Sequence, residues 1–390
     1  MKDTKDALEE FEIEELGNEE AAEGAPEEKG EKKKKNPFRF FVGFFGVLLF
    51  LMVAALAGTK LYRDYFGKAA QTGVTQEQAQ ELQAALEAAK AQEEALKAQL
   101  SEERVAGAKE GEQAVLDKIR ESIENGTSVV ETLRTLYSDQ LVVASGGTYH
   151  FIPINDALKK NDYVPENLVE TEAGELQYWK DGAVASYKGI DVSKFQGKID
   201  WQKVAQDGVT FAFIRVGYRG YGENGTLVED PNARENLQGA NDAGIKTGAY
   251  FYTQAISEAE ALEEVQLIID VISQYRIDCP VVIDVEKVSS AGARMNKLDV
   301  ERRTGIVKVF CDAVAAAGYK PMIYHNLEMG AVLLDVSQLE EYDKWFAYYK
   351  NELYYPYEYK VWQYSDKARV DGIAGDVDVN VAFEPLWDEN

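Results

Sequence analysis

Eight apolar segments of six to eight residues recur between residues 188 and 383, and the spacing between them changes along the chain. KGIDVS (188–193), FAFIRVG (211–217), KTGAYFYT (246–253), CPVVIDVE (279–286) and KPMIYHN (320–326) are each followed by a helical pattern. The patterns are DWQKVAQDG, PNARENLQGANDAG, SEAEALEEVQLIIDVISQY, LDVERRTGIVKVFCDAVAAAG and LEMGAVLLDVSQLEEY, with Gly208, Gly244 and Gly318 where helix C-caps belong. KWFAYY (344–349), YKVWQYS (359–365) and DVDVNVAF (376–383) then follow at shorter spacing. Five strand–helix units and three further strands predict an α/β fold, a (β/α)5β3 TIM-like barrel over 187–390. An open doubly wound sheet competes, but it needs crossover helices that the last gaps are too short to hold.

Strand periodicity of two then places the chemistry. In VVIDVE, Val281, Ile283 and Val285 share the face that must meet the helices, so Asp284 and Glu286 point into the barrel at the strand's C-terminal end. Likewise Ile190 and Val192 face outward and Asp191 inward. In the last segment Val377, Val379 and Val381 face outward, leaving Asp376, Asp378 and Asn380 inward. Barrel enzymes place their chemistry at that end. Clustered carboxylates repel one another and lose solvent, which raises at least one carboxyl pKa and makes a general acid. A single strand-end Asp would be read as a loop cap or ion-pair partner. A divalent-metal site is the sharper rival, but there is no DxDxDG loop and no His ligand set, so no metal and no cofactor is expected.

GIDVSKFQG (189–197), VVIDVE (281–286), WFAYY (345–349), WQYS (362–365) and GIAGDVDVN (372–380), in this order and spacing, resemble the signature segments of glycoside hydrolase family 25 lysozymes. The resemblance covers roughly 187–388 and implies a (β/α)5β3 barrel that hydrolyses the β-1,4 bond between N-acetylmuramic acid and N-acetylglucosamine in peptidoglycan. Carried over by position, Glu286 resembles the family's general acid and Asp284 its assisting neighbour. Asp191 and Asp378 match the first- and last-strand acids. Asp376, where relatives often carry another polar residue, is assigned no chemistry. Trp345, Tyr349, Trp362 and Tyr364 are candidates to stack on sugar rings, with core packing the alternative for each. Tyr250 and Tyr252, opposite in phase to Phe251, join them as substrate-binding candidates. Both sugars carry a 2-acetamido group, so a substrate-assisted route through an oxazolinium is favoured over double displacement or inversion.

Upstream, Phe40–Gly58 is a run of 19 residues without a charge, about 28 Å as a helix and so near the hydrocarbon thickness of a bilayer. A transmembrane helix is expected at 40–62. Lys32, Lys33, Lys34, Lys35 and Arg39 outnumber Lys60, Arg63 and Lys68, so a single-pass chain with a cytoplasmic N-terminus and an extracytoplasmic barrel is expected. Residues 1–39 read as a disordered acidic tail with a basic juxtamembrane patch, able to dock an unidentified cytoplasmic partner. Residues 63–126 read as a helical stalk, rich in Ala, Gln, Glu and Lys from about 75, with a dimeric coiled coil as the weaker alternative because Leu82, Leu86, Leu96 and Leu100 are sparse. Gly107 and Gly111 are expected to loosen it.

Residues 127–186 read as a small α+β module, with a helix in SVVETLRTLYSDQ, strands in LVVA and TYHFI, and a hairpin around Lys180, Asp181 and Gly182. His150 reads as structural. His325 has two readings, a groove residue or an ordinary hydrogen-bonded histidine. Cys279 and Cys311 are either buried thiols or one disulfide. A net charge of −26 argues against nucleic acid as a partner, and two Cys with two His exclude a disulfide-dense scaffold. The expected protein is therefore a membrane-anchored, wall-remodelling peptidoglycan hydrolase whose partners are glycan strands and, through 40–58, the lipid bilayer. The alternative is an inactive barrel that binds wall glycan as a scaffold.

Overall fold

The computed structural model describes residues 75–388 apart from 291, 351 and 353. The acidic tail, the basic patch and the membrane helix expected at 40–62 lie outside the described residues. Among the described residues no helix is long and apolar enough to cross a membrane. The chain divides into two units, Met1–Ala106 and Gly107–Asn390.

What is described of the first unit is helical. Helix α1 (Gln76–Glu124) has no buried residue, and the ion pair of Glu93 with Lys97, one turn apart at 2.6 Å, lies fully on its surface. The sequence is made of strong helix formers, and the helix runs through Gly107 and Gly111 without a break, against the expectation that they loosen it.

In the second unit, Ser128 opens α2 (Val129–Leu136) with a capping box to Glu131. Strands β1 (Gln140–Ser145) and β2 (Thr148–Pro153) form a hairpin whose turn uses Gly146 and Gly147 at positive φ. Strands β3 (Leu168–Glu170), β4 (Leu176–Lys180) and β5 (Ala183–Val184) form a small antiparallel sheet. The β4–β5 turn places Asp181 at φ 54° and Gly182 at φ 80°, the left-handed pair that a two-residue hairpin demands.

The remaining strands are β6 (Tyr187–Val192), β7 (Phe211–Arg219), β8 (Leu227–Glu229), β9 (Lys246–Tyr252), β10 (Val281–Asp284), β11 (Pro321–Asn326), β12 (Asp343–Ala347), β13 (Val361–Ala368) and β14 (Val377–Ala382). Around the closed sheet the order is β6, β14, β13, β12, β11, β10, β9, β7 and back to β6, with β8 paired only to β7. All eight barrel strands are parallel to their neighbours except β14, which is antiparallel to both β13 and β6. The start of β14 therefore lies at the same rim as the C-terminal ends of the other seven.

Helices α3 (Trp201–Gln206), α4 (Ala233–Asp242), α5 (Glu258–Ile272) and α6 (Val300–Ala316) follow β6, β7 (and β8), β9 and β10. Asp200, Ser257 and Asp299 cap α3, α5 and α6 through their side chains. Gly208, Gly244 and Gly318 all sit at positive φ just past helix ends, as expected of C-caps. The fifth predicted helix is absent. After β11 the chain makes one π-helical stretch, Met329–Leu333, and a 3-10 turn, Val336–Gln338.

Residues 127–186 help cover the flank that lacks helices. Leu141, Val143, Leu158 and Leu176 belong to the same buried cluster as the outward residues Phe346, Trp362, Val379 and Val381. Tyr163 stacks on Phe383 at 3.8 Å, meets Tyr359 edge-on, and donates its hydroxyl to the Tyr359 carbonyl. The guanidinium of Arg134 lies 4.1 Å over the Tyr354 ring. A second, separate cluster fills the barrel lumen, including Phe211, Phe213, Tyr250, Val282 and Trp345. Cys279 lies in the lumen cluster and Cys311 in the outer one, on opposite sides of the sheet, so both are free thiols.

Candidate active site

The acids come together because strand pairing aligns them. Asp378 at the start of β14 is the register partner of Asp191 near the end of β6. On the opposite wall Asp284 ends β10 in register with Tyr252 on β9 and Tyr324 on β11. Val281, Ile283 and Val285 are wholly buried in the outer layer, which turns Asp284 inward and carries Glu286, two residues on, to the rim. Glu286 is half-buried, and Asp378 is likewise partly exposed, whereas Asp191 and Asp284 are buried.

Each buried acid has a distinct environment. Asp191 Oδ2 accepts N–H bonds from Gln363 Nε2 at 2.8 Å and Asn380 Nδ2 at 2.9 Å. Burial pushes this carboxyl up to about 6, against the pull of those two donors. Asp284 is different: its Oδ1 has no hydrogen-bond partner. Burial, and then the charges of Glu286, Asp191 and Asp378, hold Asp284 well above the ordinary carboxylate range, with Arg215 opposing them. Asp378 is raised by burial, then by Asp191, Asp366 and Glu286. Arg215 is the buried counter-charge on β7, held by Asp230, to whose Oδ2 its Nε donates at 2.8 Å. These mutual effects show that the four acids share one electrostatic neighbourhood, and acids so placed cannot all be ionised at once.

The predicted aromatic residues separate into three groups. Tyr252 and Tyr349 reach the rim: Tyr252 is half-buried with its hydroxyl 3.2 Å from that of Tyr221, and Tyr349 is 43% exposed. Tyr250 and Trp345 point inward but form the floor below the acids. Trp345 is 1% exposed, stacked on Phe213 at 4.6 Å, and donates its indole N–H to Asn380 Oδ1 at 2.8 Å. Trp362 and Tyr364 do not join the site. Both lie on the outer face of β13 in the outer cluster, and the Trp362 indole donates to the Tyr348 carbonyl at 2.7 Å. Residues 127–186 and the 348–359 loop help bury that face, which makes core packing the outcome for these two.

Asp376 is exposed and ion-paired with Arg369 at 3.0 Å, ahead of the strand. His325 faces outward too, fully enclosed beside Phe346 and Tyr355, and burial pulls its imidazole down to about 4. The groove reading of His325 is therefore wrong. His150 sits on β2, partly buried opposite Val143.

Gln363, Asn380, Arg215, Tyr221 and Tyr324 complete the site and were missed as site residues from sequence. Parity placed Asn380 inward without giving it a role, and it would have found Gln363 too, which shares the inward phase of its strand. One contact from outside the barrel reaches the rim: Lys287, next to Glu286, donates to Glu328 Oε1 at 2.5 Å and to Ser145 Oγ of β1 at 3.0 Å. Among the described residues no group of His, Cys, Asp and Glu is arranged to hold a metal ion.

Residues 190–373 match the family described as Glycosyl hydrolases family 25. The Uncharacterized protein YegX of Escherichia coli (strain K12) is 32% identical over 211 residues, covering 50% of this chain and 70% of that protein. The Autolytic lysozyme of Clostridium acetobutylicum is 26% identical over 200 residues, 51% of this chain and 56% of that protein. Among solved structures, the modular autolysin LytC from Streptococcus pneumoniae aligns with a TM-score of 0.46 at 24% identity, over 62% of this chain and 57% of that one. With the family match running from β6 through β13 and a relative at 32% identity of which the chain covers 70%, the chain belongs to glycosyl hydrolases family 25 and is a glycoside hydrolase.

Proposed function

We propose that the chain is an N-acetylmuramidase that cleaves the β-1,4 bond between N-acetylmuramic acid and N-acetylglucosamine in peptidoglycan, with Glu286 as general acid. The observation that carries this reading is the convergence of Asp191, Asp284, Glu286 and Asp378 on one barrel rim, where burial raises Asp191, Asp284 and Asp378 and the neighbouring acids raise the last two further. Glu286 is the acid on the strand extension at the rim, placed to meet a glycosidic oxygen arriving from solvent. Asp284, buried two residues earlier at the end of β10, is the assisting carboxyl beside Glu286, and the Glu286 charge helps hold it toward its neutral form.

Cleavage protonates the departing oxygen, and positive charge builds at the anomeric carbon. The substrate's own 2-acetamido carbonyl attacks there, and ionised Asp191, with the Asp378 carboxyl paired beside it across β6 and β14, steadies the oxazolinium until water opens it and returns a proton to Glu286. Tyr349 and Tyr252 offer ring faces at the rim to the sugars. The family match and the printed name of the Clostridium acetobutylicum relative support the same substrate class. The uncharged 40–58 segment and its flanking bases support a membrane-anchored enzyme acting on the cell wall outside the membrane, with α1 as part of a spacer.

Product stereochemistry tests the mechanism. Proton NMR of the first-formed sugar should show retention at the anomeric carbon, and net inversion rules the substrate-assisted route out. Activity that survives EDTA is expected, and loss of turnover with EDTA would favour a metal-dependent hydrolase.

A further inference from the structure

One buried polar group in the site has both ends of its carboxamide assigned by neighbours. Gln363 Oε1 accepts hydroxyl protons from Tyr324 and from Tyr349, both at 2.8 Å, while Gln363 Nε2 donates to Asp191 Oδ2 at 2.8 Å. The residue is 3% exposed on the inward face of β13, in register with Asn380 and Ala347. A carboxamide turned by 180° would set its oxygen against the Asp191 carboxylate and its N–H groups against two hydroxyls. The Asp191 carboxylate, which can only accept, therefore fixes which end faces it, and the two hydroxyls, able to donate or accept, donate to Oε1. Asn380 is held in the same sense, because its Oδ1 is occupied by the Trp345 indole and its Nδ2 is left for Asp191.

We propose that Gln363 is a positioning residue that keeps Asp191 ionised and oriented, and that Tyr349 couples the occupied rim to it. Of the two tyrosines on Oε1, Tyr324 is buried and Tyr349 is exposed at the sugar-facing rim. A saccharide that settles on the Tyr349 ring restrains the hydroxyl, which restrains the amide, which restrains the carboxylate. The chain of contacts runs from solvent to Asp191 through side chains alone. Burial opposes ionisation of Asp191, so the donated hydrogen bonds are what the carboxylate depends on. This inference rests on the catalytic role assigned to Asp191 above.

The test follows the Asp191 carboxyl by carbon-13 NMR in the full chain, its signal identified by its absence in Asp191→Asn. Gln363→Glu keeps the shape and the tyrosine partners but replaces the amide donor with a second carboxyl coupled to Asp191; Gln363→Met removes the donor and the acceptor without adding a titrating group. In each folded variant the Asp191 titration midpoint should rise by about one pH unit or more, a tenfold change in proton affinity. The acid limb of kcat/KM on peptidoglycan should move alkaline by the same amount. Tyr349→Phe, which keeps the ring and loses only the hydroxyl, should leave the free enzyme's midpoint within about half a unit and lower kcat more than it raises KM; an unchanged kcat would overturn the coupling.

Variants that melt like the wild type yet leave the midpoint unmoved would overturn the proposal. A midpoint that moves while the rate profile stays in place would instead count against the catalytic role of Asp191. The two failures are thus distinguishable.

Discussion

Asp284 is a residue whose function and stability pull in opposite directions. Its buried carboxyl has one oxygen without a partner and three acidic neighbours, so the folded protein binds its proton more tightly than the unfolded chain does. Between the unfolded value near 3.9 and the raised folded value, the native state carries more protons than the unfolded state, and stability falls as pH rises. Asp284→Asn removes that cost. At pH 7 the variant should gain about 0.5–2 kcal/mol and melt at higher temperature, with the gain gone below about pH 3.9. Thermal melts at pH 7 and pH 3.5 check this, and a variant less stable at pH 7 sinks it. Asp191 sets a second pH effect. It must be ionised to steady a cation, and its carboxyl sits at about 6, so kcat/KM should fall about tenfold per unit well below pH 6. A profile flat down to pH 4.5 contradicts that assignment. At this scale the acids were legible and the aromatics only in part, since Trp362 and Tyr364 face outward. Around Asp191, Asp284 and Asp378 the outward phase is purely aliphatic, so parity has one solution. In β13 the phases read Val361 and Gln363 against Trp362 and Tyr364, both largely apolar, and the sugar-stacking preference of aromatics pointed to the wrong phase.

At the scale of elements, the eight barrel strands were readable because each is a short apolar run between turn residues, and observed bounds differ from the expected ones by three residues or fewer, whereas the three-residue strands β3 and β8 were not expected. The fifth helix was not readable. LEMGAVLLDVSQLEEY has helical composition, but Asp335 caps a new turn by accepting from Ser337 N–H, and buried Gly330 packs against the His325 ring and the Tyr355 hydroxyl. A side chain at position 330 would meet them within 2.8 Å. Helix propensity loses here to packing of the π-helical stretch. Residues 127–186 then help shield that side of the barrel, a long-range partnership no local pattern encodes. The lumen makes its own demand at Gly189, where a Cβ would approach the Phe211 ring to 2.1 Å. Gly189→Ala should destabilise the barrel by about 1–3 kcal/mol, because the ring is enclosed in the lumen and has little room to yield. Chemical denaturation measures this, and an unchanged midpoint would show that the lumen is loosely filled.

At the scale of the whole molecule, the proposed membrane anchor in the uncharged 40–58 segment makes its own prediction. The full chain should fractionate with membranes and resist carbonate extraction, while deletion of 40–58 releases it. Recovery of the intact chain in the soluble fraction would remove the anchor from the account. The central claim is more direct, that Glu286 delivers a proton to a muramyl linkage. Purified peptidoglycan digested by the full chain and analysed by mass spectrometry should yield fragments with N-acetylmuramic acid at the new reducing ends. Glu286→Gln should lower that yield at least about a hundredfold while still binding the polymer. Reducing ends at N-acetylglucosamine, or undiminished turnover by Glu286→Gln, would contradict it.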